Sequence, residues 1–463
     1  MNPPALPRGR LSEVRPLARL AGPIVLSQVG SHLMVAVDTA MIGHASSVAL
    51  TAAGIASVWL TGTSMLAYGV LHGMDPIVTQ AHGAGDDERA HMALRRGVVV
   101  ALLVGLALAA VWGLTGPALR VLGGQDPEIA ALAHRYALAQ LPTIPFGMML
   151  VALRQYLQGR GVLRPMVWAA VWGNLFNAAA NGLLIYGGLG IPALGLTGAG
   201  IATGLTRLVM FVLVLAYAHG HPLMPERWWP RTRRAFEAGP LLRLVRIGLP
   251  VGVQMGLEVW AFGASTLMAG WLGVTSGAAH MVALNLASLS FMVPLGVGMA
   301  ATTRVGNLLG AGEPERAQRA AWTSMAAGAG CMALSGLTFL LARTQVPHLY
   351  SSDPEVILAA AAILPIAAAF QVVDGIQVTG AGVLRGMGDT RPAAAFNLVG
   401  YWVLGLPLGW WLAFERGQGL AGVWWGLALG LLVVAICLLA WIRARGPARG
   451  SALGAESLSR DGS

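Results

Sequence analysis

Asp38, Glu258 and Asp374 each lie well inside a long hydrophobic run, where an apolar residue would be expected. A carboxylate near the centre of a membrane helix costs about 2.5–3.5 kcal/mol on insertion scales, and such groups are usually kept for proton or ion work. Asp75 is a fourth buried-run acid, nearer the end of its run and beside Pro76. The plainer alternative is a protonated acid hydrogen-bonded to a neighbouring helix, and for Asp75 it is the preferred one. Amides gather in one run as Asn174, Asn177 and Asn181, the last two four apart and so on one helical face. They can bond a protonated Asp or offer carbonyl oxygens to a hard cation; hydrogen bonding between helices is the alternative. Arg207, also inside a run, is read as a snorkelling or locally paired residue rather than a counter-ion.

Other chemistries find no residues to carry them. All 30 basic residues are Arg, so there is no Lys for a phosphate-binding P-loop or for a Schiff base. HExxH and GxSxG are missing, and no His stands at a useful spacing from an acid within a helix. The expectation is therefore a chain that is not an enzyme and carries no resident cofactor. Cys331 and Cys437 both fall within apolar runs, which argues for no disulfide and no metal site. His219 and His221 flank a helix end and read as solvated surface.

The elements that must hold these groups are membrane helices. The chain has 463 residues, 56% hydrophobic and 11% charged, whereas a soluble domain carries roughly a quarter charged residues. Crossing a hydrocarbon layer takes about 20 apolar residues. Twelve such runs are expected: 20–43, 49–74, 94–115, 130–150, 166–187, 195–218, 243–272, 279–300, 318–342, 357–381, 393–414 and 420–442. Pro142, Pro145, Pro294, Pro365 and Pro407 should bend the runs that contain them. The first nineteen residues lack the apolar core of a removable signal peptide.

The net charge of +10 follows the loops and does not point to nucleic acid. Arg15 and Arg19, Arg89, Arg95 and Arg96, Arg160 and Arg164, and Arg231, Arg233 and Arg234 all fall on one side of the expected membrane. The other side holds few Arg, together with Asp126, Glu128, Asp353 and Glu355. Basic short loops stay cytoplasmic. Both termini are thus expected inside the cell, in an inner membrane crossed an even number of times.

The chain also repeats itself at an offset of 227 residues. GAGDDERA at 83–90 returns as GAGEPERA at 310–317, and GRGVLRP at 159–165 as GMGDTRP at 386–392. Asp126-Pro127-Glu128 returns as Asp353-Pro354-Glu355. Six runs per repeat put both halves through the membrane in the same direction, a parallel-repeat transporter plan. The reading is all-α and integral to the membrane: a tail (1–19), an N-lobe (20–218), a linker (219–242), a C-lobe (243–442) and a second tail (443–463).

At these positions the chain resembles the multidrug and toxic compound extrusion (MATE) family, in its NorM-like branch. The motifs are Val37-Asp38-Thr39, Gln80 with the GAG that follows, Asn177-x-x-x-Asn181 and Glu258. His280, Phe291 to Gly296, Arg304-Val305-Gly306, Asp374-Gly-Ile-Gln377 and Leu384-Arg385-Gly386 complete the set. The resemblance implies two six-helix lobes that export bulky, often cationic amphiphiles in exchange for inward Na⁺ or H⁺. It assigns Glu258 and Asp374 to a C-lobe cation site. Asp38, Asn177 and Asn181 fall to a polar N-lobe cavity, with Asn174 and Gln377 as further polar candidates. Small organic molecules and the bilayer are the expected partners of a monomer. The alternatives are a lipid-linked glycan flippase of the same wider superfamily and, more remotely, an intramembrane enzyme.

Overall fold

A computed structural model describes residues 13–121, 124, 126–225 and 228–449; most of both tails lies outside it. In a bilayer each backbone N–H and C=O must be satisfied within the chain, which leaves helices as the economical solution for apolar runs. The helices are α1 (Val14–Ala45), α2 (Ser47–Gly83), α3 (Asp87–Gly113), α4 (Pro127–Gly159), α5 (Arg164–Tyr186) and α6 (Gly195–His219). The second set is α7 (Ala238–Trp271), α8 (Val274–Gly310), α9 (Pro314–Leu341), α10 (Pro354–Met387), α11 (Arg391–Glu415) and α12 (Gly419–Arg445).

Among the described residues, eleven spans are long and apolar enough to cross a membrane. The twelfth expected run forms the 23-residue α5, which falls below that apolarity because Asn174, Asn177 and Asn181 interrupt it. Several helices outrun their apolar runs: α8 continues to Gly310 and α10 to Met387. The backbone stays helical after the side chains turn polar.

Loop chemistry sets the ends. Asp126 accepts a hydrogen bond from the Glu128 N–H, and Asp353 accepts one from the Glu355 N–H (2.8 and 2.9 Å), each just before a Pro that opens its helix. Gly85 and Gly312 both take φ +72°, a left-handed turn that suits Gly. The prolines act less uniformly than expected. Pro142 lies in a 3₁₀ turn (Leu141–Thr143) and Pro145 in the first turn of the helix after it, so α4 is interrupted there. Pro294 and Pro365 stay inside continuous helices. Pro407 is flanked by π-helical stretches, Leu398–Gly405 and Trp411–Glu415, that re-pair the backbone around its missing N–H.

The chain forms two compact units whose borders fall inside α1, α2 and α7 and in the loop between α2 and α3. One comprises 26–78 and 86–252. Here Ile42, Ala52, Ile185, Leu196 and Ala199 form a buried cluster, and α2 crosses α7 at Gly69 and Gly252 so closely that a Cβ at Gly69 would overlap backbone. The other comprises the described residues of 1–25, 79–85 and 253–463. Its core includes Phe370, Leu384, Tyr401, Leu427 and Leu431. In this second unit Gly296 meets Val25, Gly83 meets the Asn307 backbone, and Gly310 meets the Gln80 backbone.

These contacts are the internal repeat seen in three dimensions. At the 227-residue offset the Gly69–Gly252 crossing becomes Gly296–Val25, and the Gly83–Asn307 crossing becomes Gly310–Gln80. The left-handed turns obey the same relation, Gly85 with Gly312 and Gly161 with Gly388.

Candidate functional site

Within unit 26–78 and 86–252, Asp38 projects from α1 toward α5 and α6. Asn181 donates from Nδ2 to Asp38 Oδ1 at 2.5 Å, and Thr203 Oγ1 donates to Asp38 Oδ2 at 3.4 Å. Asn181 Nδ2 also reaches Asn177 Oδ1 at 3.2 Å, as the four-residue spacing requires. Asn177 and Asn181 are buried and Asp38 is half-buried. The charge of Arg207 acts on Asp38 as well. Two amide atoms here, Asn177 Nδ2 and Asn181 Oδ1, are buried with no protein partner. A buried amide left unpaired costs about 1–3 kcal/mol, so this cluster has capacity for one more polar guest. Asn174 does not join it: its Nδ2 donates to the Ala170 carbonyl of its own helix at 2.7 Å. Arg207 lies over the Trp112 ring, 5.7 Å from the centroid, and lines a small cavity with Ser64 and Tyr68.

A second cluster lies in the other unit. Glu258 on α7 interacts with Asp374 and Gln377 on α10 and with Tyr401 on α11. Trp402 Nε1 donates to the Leu257 carbonyl at 3.0 Å, which holds α11 beside the Glu258 turn. Gln377 donates to Asn397 Oδ1 at 3.3 Å. Asp374, Gln377, Asn397 and Tyr401 are buried and Glu258 is half-buried. Gln377 Oε1, the Tyr401 hydroxyl and Asn397 Nδ2 have no protein partner. Two carboxylates beside unpaired amide and hydroxyl oxygens form a donor set for a hard cation. Each carboxylate feels the other's charge, and like charges held together favour a proton or cation between them.

Three members of these clusters, Thr203, Asn397 and Tyr401, went unmarked in the sequence. Each is a single polar residue on a helix remote in sequence from its carboxylate, so no spacing signals it. One expectation is corrected. A His does pair with an acid at close spacing: His72 Nδ1 lies 2.9 Å from Asp75 Oδ2, both buried, with Gln155 against the ring. The pair forms because α2 breaks at His72–Gly73 and restarts at Met74, turning His72 back over the new first turn. Asp75 thus has a local structural partner.

Two repeats of membrane helices, each enclosing buried polar groups, fit the parallel-repeat plan of polytopic transporters. The MatE family model matches residues 23–183 and again 250–411, the same internal repeat found in the sequence. The chain is 36% identical to "Multidrug resistance protein NorM" of Burkholderia vietnamiensis, over 95% of this chain and 94% of the relative. It is 37% identical to "Multidrug resistance protein PmpM" of Pseudomonas aeruginosa, again over 95% and 94%. A crystal structure of the eukaryotic MATE transporter AtDTX14 superposes with a TM-score of 0.88 at 25% identity, covering 97% of this chain and 99% of that one. The chain belongs to the MatE family of multidrug efflux transporters.

Proposed function

We propose that this chain is a secondary active antiporter that exports bulky, cationic or amphiphilic organic compounds in exchange for inward Na⁺ or H⁺. The observation that carries the proposal is the Glu258–Asp374 pair, one half-buried and one buried, with its unpartnered Gln377 and Tyr401 oxygens. An uncoupled carrier of neutral amphiphiles would gain nothing from burying two carboxylates. The relatives' designation as multidrug resistance proteins supports the class of cargo. In this reading a lobe of residues 20–218 and a lobe of residues 243–442, joined by the 219–242 linker, alternate access to the cargo. Glu258 and Asp374 bind the coupling cation, and Asp38 with Asn177, Asn181 and Thr203 exchanges a proton or contacts the cargo. The chain works as a monomer in the bacterial inner membrane, with both termini in the cytoplasm.

The test is efflux of a cationic dye from proteoliposomes under separately imposed Na⁺ and pH gradients. One gradient or both should drive net export against the dye gradient. Export that persists at full rate with both gradients collapsed would overturn the antiport reading.

A further inference from the structure

The segment that joins α6 to α7 has a composition unlike the rest of the molecule. Residues 228–237 read Trp-Trp-Pro-Arg-Thr-Arg-Arg-Ala-Phe-Glu. Their ends are set by the close of α6 at His219 and the start of α7 at Ala238, so the segment lies at one face of the membrane. It is folded against the helices. Arg96 on α3 donates to the Arg234 carbonyl and pairs with Glu237, both at 3.3 Å. Trp228 packs edge-on against Phe211 of α6, 6.4 Å between centroids, and against Trp229 at 5.4 Å. Pro230 and Ala235 are buried beneath the strap, and a 3₁₀ turn spans Arg233–Phe236.

The outward side is what this packing leaves unexplained. Trp229 is 41% exposed and Phe236 56%, an unfavourable arrangement for two large rings facing water. Arg231, Arg233 and Arg234 are exposed beside them, and among the described residues none of the three forms an ion pair. Arg96 already engages Glu237, the one acid among residues 228–237, so among the described residues no acid neutralises the three guanidiniums. Aromatic rings favour the membrane–water boundary, and guanidinium binds phosphate through paired N–H donors.

We propose that this strap is a docking surface for anionic phospholipid headgroups. Trp229 and Phe236 enter the headgroup layer, while Arg231, Arg233 and Arg234 hold lipid phosphates. Charge complementarity commits the surface to lipid of the adjoining leaflet, because a soluble anion would leave both rings in water.

The test uses the full-length protein in phosphatidylcholine bilayers with added phosphatidylglycerol, and reads the relative association of spin-labelled forms of the two lipids. The unmodified protein should prefer phosphatidylglycerol, and the preference should weaken as NaCl is added. Each Arg→Gln change among Arg231, Arg233 and Arg234 should lower the preference up to about fivefold, the effect of roughly one basic residue near an anionic surface. Removing Arg135, in the N-terminal part of α4, and Arg343, just after α9, should leave it unchanged. Trp229→Ser with Phe236→Ser should weaken both lipids alike. The proposal is overturned if the Arg135/Arg343 control lowers the preference as much as the strap variants do. It is also overturned if millimolar inorganic phosphate abolishes the preference, or if all three Arg→Gln variants leave it intact. Should the strap variants fail to fold, a salt-insensitive preference in the unmodified protein overturns it equally.

Discussion

Asp38 and the Glu258–Asp374 pair occupy positions that the internal repeat does not duplicate. At the 227-residue offset Asp38 corresponds to Ser265, Glu258 to Ser31 and Asp374 to Gly147. The two units therefore share a scaffold and differ in chemistry. Asp38 is held by an amide and a hydroxyl, which suit a carboxyl that gains and loses a proton. Glu258 and Asp374 have each other, with unpaired oxygens nearby, which suits Na⁺. Glu258→Gln and Asp374→Asn should each reduce ion-driven dye efflux about 5–150-fold, the range of a lost coupling free energy of 1–3 kcal/mol, at normal expression. Wild-type rates in both would remove the pair from the mechanism. A second expectation separates the sites: Asp38→Asn should change mainly the pH dependence of efflux, and Glu258→Gln mainly its Na⁺ dependence. Equal shifts in both dependences would mean that the clusters act as one.

At the scale of the helix, backbone crossings limit what the sequence tolerates. Gly83 and Gly310 each lie where a Cβ would meet carbonyl oxygen of a neighbouring helix, whereas Gly54 has open space around it. Gly310→Ala should therefore cost about 1–3 kcal/mol, as overpacking does, and lower the thermal midpoint of the purified protein. Gly83→Ala should cost a similar amount because the repeat places it in the same contact. Gly54→Ala should leave the midpoint within error or raise it slightly. If all three variants melt alike, these crossings are not the close contacts described.

At the scale of the whole molecule, the basic loops and the parallel repeat make a joint statement about orientation. Reporter fusions at either terminus and within 219–242 should read cytoplasmic, and fusions beside Asp126 or Asp353 should read periplasmic. The two acids cap repeat-related helices in the same way, so both fusions must agree. A split result at these two positions would contradict parallel insertion of the halves.

Helix number, the repeat and the unusual acids were legible from the sequence because they are one-dimensional signals. A 20-residue apolar run has few options in lipid, a repeated loop is a match of letters, and a carboxylate in such a run is conspicuous by its cost. Asn177 and Asn181 were legible for the same reason, since helical spacing alone puts them on one face. Only the tertiary structure decided what stands beside each acid. Thr203 lies 165 residues from Asp38, and Asn397 lies on a different helix from Gln377; helix packing brings each pair together and leaves no local trace. Asn174 shows the converse. Its spacing offered it to the Asp38 cluster, but its side chain folds back one turn and donates to its own backbone. The His72–Asp75 pair depended on a break in α2 that no apolar pattern announces. Periodicity names the helices and the faces that carry polar groups; which faces meet is settled by how closely the glycines let the backbones approach.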